Sequence, residues 1–238
     1  MQAATYNRSV DVITMPQRIR CLPISPQGWP VPHFVTWFDG DKPCDDGEGV
    51  PDFRVVNPDK ITTAVAKNRC WVCGQTKSTT FHAFVIGPMC AINRVISEPS
   101  SHRDCAIYAA RVCPFLAKPN MVRNEKGMYD EDGKLLRGLT DAAGIGLKRN
   151  PGACCVYVTK SYRLFRPHRG QPGVLFSLGT PVEVMWFAEG KRATREQIMA
   201  SIDSGYPKLE EIARQDGRAA LAALKTQYDV AMALVPNQ

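Results

Sequence analysis

Apolar positions follow three regimes along the chain. From 17 to 38, β-branched and aromatic residues are interrupted by Pro23, Pro26, Pro30 and Pro32. This predicts short strands near 18–24 and 33–38, because proline cannot donate to a sheet ladder. Residues 1–16 carry no pattern and read as a loose arm, and 39–51 reads as an acidic, turn-rich loop. A short strand is expected over 53–56. Asn57-Pro58 then opens a helix to about Lys67, with asparagine as cap and proline at the first helical position. The run 81–96, folded about Gly87-Pro88, predicts a hairpin. Runs at 153–165 and 173–187 are rich in β-formers and read as strands, the second divided at Gly179-Thr180-Pro181. The stretch before them is polar and glycine-rich, with Asp132-Gly133 as a hairpin turn. Near the C-terminus the period becomes helical. Thr194 and Gln197 have capping-box spacing, Ile198, Met199 and Ile202 form an apolar face, and Gly205 reads as the stop. Further helices are expected from Pro207 to about Gln215 and from Asp216-Gly217 to Val235.

These elements predict an α+β fold. It comprises an irregular β-rich N-terminal part (1–68), an embedded cysteine-bearing module (69–115), a polar connection (116–152), and a small antiparallel sheet with C-terminal helices (153–238). One unit is expected, because the strands need a covering layer that the helices can supply.

Composition narrows the class. An apolar fraction of 44% leaves enough surface to bury, which excludes general disorder. No apolar run approaches the ~18–20 residues of a membrane span. The first residues lack the apolar core of a secretory signal, so a cytoplasmic protein is expected. Nine cysteines, an odd number, then argue for metal ligands or buried thiols rather than a disulfide framework. Cys154 and Cys155 are adjacent in a strand pattern, which predicts one buried and one turned away. The net charge of +7 favours a polyanionic partner, nucleic acid or an acidic protein surface.

The strongest chemical signal is Cys70-Trp-Val-Cys73-Gly74. Two thiolates three positions apart, followed by glycine, form a knuckle whose turn aims both sulfurs at one point. Ser101-His102-Arg103-Asp104-Cys105 then opens a helix ended by Pro114, with 28 residues between Cys73 and His102. Ser101 is the expected cap, which places His102 and Cys105 on one face of the first turn. Cys70, Cys73, His102 and Cys105 complete a closed tetrahedral zinc set. Cys90 is the rival for the fourth position, in an all-cysteine site with His102 left free.

A knuckle, a hairpin and a helix donating ligands from its first turn resemble the treble-clef zinc finger over about residues 69–113. The resemblance implies one structural Zn2+ in an embedded treble-clef module. It also raises the ββα-metal (His-Asn-His) nucleases of that superfamily, since His82, Asn93 and His102 occur in that order. In those enzymes the first histidine activates water and the last holds a catalytic cation. Here His82 lacks an acidic neighbour, and His102 cannot easily serve both a structural zinc and a catalytic metal. Stretches such as Gly87-Pro-Met-Cys-Ala-Ile-Asn-Arg94 also resemble uncharacterised bacterial and phage proteins, which implies no activity.

The densest basic segment is Lys160-Ser-Tyr162-Arg163-Leu-Phe165-Arg166-Pro-His168-Arg169. Tyr162 and Phe165 can stack on bases while Arg163, Arg166 and Arg169 meet phosphates, with Lys148 and Arg149 extending the groove. The sequence alone therefore favours a zinc-stabilised nucleic-acid-binding protein without catalysis. The alternatives are a protein-docking accessory factor and the nuclease.

Overall fold

The structure, a computed structural model, describes residues 14–119, 121–133, 148–167 and 173–237. The elements run α1 (Gln17–Arg20), β1 (Val35–Asp39), β2 (Lys42–Cys44), β3 (Val50–Val56) and α2 (Pro58–Ala66). They continue with β4 (His82–Ile86), α3 (Pro88–Asn93), β5 (Val95–Ile96), α4 (Arg103–Val112) and α5 (Pro114–Ala117). The last group is β6 (Cys154–Thr159), β7 (Tyr162–Phe165), β8 (Leu175–Leu178), β9 (Pro181–Ala188), β10 (Lys191–Arg192), α6 (Arg195–Asp216) and α7 (Arg218–Met232). The α+β class read from the sequence holds: three small antiparallel sheets and two long C-terminal helices. No helix among the described residues is long and apolar enough to cross a membrane.

The four-stranded sheet, in the order β10-β9-β6-β4, organises the rest. Its strand β6 is buried at every position, so both of its faces are lined by core side chains, and the one hydroxyl-bearing aliphatic residue, Thr159, donates to backbone carbonyls. On one face Cys155 and Tyr157 pack with Phe84, Ile86 and Trp186 beneath Ile198, Ile202 and Leu224 of the long helices. On the other, Cys154, Val156 and Val158 pack with Ala83, Met185 and Phe187 against Ala106 and Ala110 of α4. Cys154 and Cys155 do alternate faces, but both are buried, because helices cover both sides. The sheet β5-β8-β7 joins this core through Tyr162, which meets Phe84 and Phe176 at ring-centroid distances of 5.7 and 5.6 Å. The sheet β2-β1-β3 encloses Val31, Val35 and Trp37, and Val55 with Phe38 reaches Met128. The Arg54 guanidinium donates to the Asn124 and Lys126 carbonyls, tying that segment to β3.

Four expectations are corrected. The stretch 18–24 is not a strand; it begins with the one-turn helix α1, which turns Ile19 into the core beside Cys70. The hairpin over 81–96 is absent. Gly87 and Pro88 serve as N-cap and first residue of α3, so β4 and β5 enter different sheets. Ser101 is not the cap of α4: that place is held by His102, while the helix does end just before Pro114, which also begins the short α5. Gly205 does not end a helix either. It lies inside the 22-residue α6, where a Cβ would come within 3.0 Å of Met89, so the glycine permits close approach to α3. Pro207 sits in the same helix, its missing N–H tolerated because flanking turns are packed on both sides.

Local signals are realised where tertiary packing agrees with them. Asn57 accepts a hydrogen bond from the Asp59 N–H at the start of α2. Thr194 accepts from the Gln197 N–H at 3.3 Å while the Gln197 side chain accepts from the Thr194 N–H at 3.0 Å. Thr194→Ala is expected to lower unfolding free energy by about 1 kcal/mol. Urea titration monitored by far-UV circular dichroism checks it; an unchanged midpoint would contradict the capping role.

Candidate metal centre

The knuckle forms where the short pairing of Arg69 with Thr76 brings the chain back on itself. Within it the Gly74 N–H donates to the Cys70 carbonyl and the Cys70 N–H to the Gln75 carbonyl, both at 2.8 Å. Gly74 has a φ of +71°, and a Cβ there would lie 2.8 Å from the His33 ring. Conformation and space therefore both require glycine. The second ligand pair arrives with α4. Ser101 exchanges backbone hydrogen bonds with Ala83 of β4, and the Ala106 N–H donates to the His102 carbonyl. Ala106 and Ala110 then seat the helix on the sheet while Cys105 and Tyr108 face the knuckle with Ile19, Cys70 and Cys73.

Cys70, Cys73, His102 and Cys105 converge, with all four donor atoms within 4.8 Å of one another. Cys73 Sγ lies 3.4 Å and Cys105 Sγ 3.9 Å from His102 Nδ1. Ideal tetrahedral edges around zinc are about 3.6 Å for sulfur to nitrogen and about 3.8 Å for sulfur to sulfur, given the usual bond lengths. The donors thus surround a space of the right size, and three thiolates with one imidazole suit a single metal ion of zinc type.

The surroundings reinforce this. His102 Nε2 is 3.2 Å from the Thr76 carbonyl, which only accepts. The ring proton therefore sits on Nε2, leaving the Nδ1 lone pair for the ion, as an outer partner does for a metal-bound histidine. The N–H groups of Cys73 and His102 donate to Cys70 Sγ at 3.5 and 3.3 Å. Cys70 and Cys105 are fully buried. Without an ion, thiol hydrogen bonds from Cys105 and Cys73 hold the Cys70 pKa far below its usual range. The same hydrogen bonding to the Cys70 and Cys73 sulfurs, with burial, drives that of Cys105 up. Three crowded sulfurs cannot all ionise unless a cation joins them.

The other sequence candidates are placed as follows. Cys90 lies on α3, packed against the core beneath α6 and α7, outside the converging group. His82 is buried, edge-on to Tyr162 at 4.8 Å, with Ser100 Oγ 3.4 Å from its Nδ1; burial lowers its pKa. Asn93 Oδ1 accepts from the Val95 N–H, closing the turn around Arg94, whose φ is +56°. Lys148 pairs with Glu125 at 2.6 Å, and Arg149 donates to the Ser204 carbonyl and hydroxyl. Tyr162 is half-buried in the aromatic cluster of His82, Phe84 and Phe176. Lys160, Arg163, Phe165 and Arg166 are exposed, Phe165 by 40%. Arg169 lies outside the described residues.

Sequence reasoning missed Thr76, whose contribution is a backbone carbonyl. No protein-family model, curated protein or solved structure matches the chain.

Proposed function

We propose that this chain is a zinc-stabilised binding protein without catalytic machinery of its own, and that its ligand is nucleic acid. In this reading Cys70, Cys73, His102 and Cys105 fill all four positions of one Zn2+. A closed set leaves no place for a reacting water, so the ion's role is to lock the knuckle to α4. The treble-clef resemblance extends to the ligand order, knuckle then helix start, and not to the missing hairpin.

The observation that carries the nucleic-acid reading is the outer side of β7. Alternation puts Arg163 and Phe165 on one face, opposite the half-buried Tyr162. Lys160 and Arg166 flank them, and among the described residues none of these three cations is in an ion pair. An exposed ring among unpaired cations suits a single strand, whose bases stack while its phosphates meet the charges. Fluorescence anisotropy with a labelled single-stranded oligonucleotide tests this. Three phosphate contacts predict that affinity falls about 20-fold between about 50 and 200 mM salt. The Arg163→Ala/Arg166→Ala protein should lose most of that binding. Absent or salt-independent binding would reject the reading.

A protein-docking function is the second reading. It is favoured by Leu164, 45% exposed beside Phe165 on a strand at the edge of its sheet. Edge strands of this kind accept an extended segment from a partner.

A further inference from the structure

The four-stranded sheet has one closed edge and one open edge. At β4, Ser101 bridges to Ala83 through two backbone hydrogen bonds. The opposite edge is β10, whose residues are Lys191 and Arg192 alone. Glu189 and Gly190, at φ of +52° and +74°, turn the chain tightly, so that Lys191 pairs with Ala188 and Arg192 with Phe187. The Ala193 N–H donates to the Trp186 carbonyl at 3.0 Å, and the chain then leaves the sheet at Thr194 to start α6. Successive residues of an antiparallel strand direct their N–H and C=O groups to opposite neighbours. Ala188 and Trp186 face β10, so the backbone groups of Val184 and Val182 point the same way, beyond the place where β10 ends. Among the described residues no strand pairs with them there. Val182 is 51% exposed. Lysine and proline blunt many sheet edges, as Lys42 and Pro43 do on β2, but neither valine carries such a guard.

A cavity of about 450 Å3 adjoins this edge, within the size range of ligand pockets. Val184 and Trp186 of β9 line it together with Met232, Leu234 and Pro236. The hydrogen bond from Trp186 Nε1 to the Leu234 carbonyl, at 2.9 Å, holds that last segment in place. Arg192 is the only charged residue in the lining. Its guanidinium lies 5.3 Å from the Phe187 ring centroid, on the sheet face opposite the Val184 side chain. Among the described residues no carboxylate forms an ion pair with it. Glu183, on the same face, is held by two hydrogen bonds from Arg103 at 2.5 and 2.6 Å.

We propose that the open edge of β9 accepts an extended acidic segment of a partner protein as an added strand. Backbone pairing with Val182 and Val184 supplies the affinity. The partner residue opposite Val184 places an apolar side chain in the cavity. Its neighbour in sequence points to the other face and places a carboxylate beside Arg192. A second copy of this chain fits less well, since its net charge of +7 would meet a cationic edge. The site lies on a different sheet from β7 and does not depend on the nucleic-acid reading.

The test uses the full chain and a labelled heptapeptide with leucine-aspartate at its centre and threonine elsewhere. Fluorescence anisotropy measures binding, and hydrogen exchange maps it. The peptide should bind and protect the Val182 and Val184 amides. Val182→Pro removes one outward N–H at an edge position where proline is tolerated, and should weaken binding about 10-fold. Arg192→Glu should weaken it about 10-fold as well, and should prefer a peptide with lysine in place of aspartate. No binding at about 1 mM peptide, protection on β7 instead of β9, or parental affinity in Val182→Pro would overturn the proposal. A dimer of the parent chain that Val182→Pro dissolves would overturn it too, because a second copy would then occupy the edge. If Val182→Pro does not fold, the charge exchange at Arg192 decides.

Discussion

Cys70→Ser is expected to abolish zinc binding and to unfold the segment that joins the knuckle to α4. Cys70 Sγ accepts two backbone N–H groups, from Cys73 and His102, and so ties both halves of the centre together. It is fully buried beside Ile19, Val72 and Tyr108. Binding free energy of a structural zinc is folding free energy, about 10–16 kcal/mol in small zinc peptides. That is comparable with the whole margin of about 5–15 kcal/mol that holds a typical domain. Metal analysis with urea denaturation checks it: the variant should carry no zinc and lose more than about 5 kcal/mol. Cys90→Ser serves as the control and should keep its ion, since Cys90 stands outside the ligand group. A Cys70→Ser protein with parental zinc and stability would contradict the ligand assignment.

The second large effect is expected at Phe84. This ring is 1% exposed and lies in the four-stranded sheet, yet it meets Tyr162 and Phe176 of the neighbouring three-stranded sheet. Its removal opens a cavity at the junction of the two sheets. Phe84→Ala should cost about 3–5 kcal/mol in unfolding free energy. Zinc stoichiometry should be unchanged, because the ring belongs to a different apolar cluster from the ligands. Phe165→Ala, at an exposed position of β7, should stay within about 0.5 kcal/mol. Equal effects at the two positions would show that the sheets are not joined through Phe84.

The residues that could be read from sequence are those whose signal is local. The Thr194 capping box, the Asn57-Pro58 helix start and the Cys70-Trp-Val-Cys73-Gly74 turn depend on contacts within a few positions, and each forms. The ligand order was legible because the chemistry demands particular residue types, and Cys, Cys, His and Cys do converge. What failed was decided at long range. Gly87-Pro88 serves a hairpin or a helix start equally well, and pairing of β4 with β6 and of β5 with β8 selects the helix. Gly205 and Pro207 are breakers by propensity, but the seat of Gly205 on Met89 keeps the helix continuous. Tyr162 lies in a basic run that reads as one exposed surface. Strand alternation turns its ring inward to Phe84 while Arg163 faces out.

Elemental analysis of the purified chain is the plainest check on whether one ion holds Cys70, Cys73, His102 and Cys105 together. One zinc per chain is expected, with thermal stability that collapses when a strong chelator removes it. A chain free of transition metal whose melting temperature is untouched by chelator would contradict it.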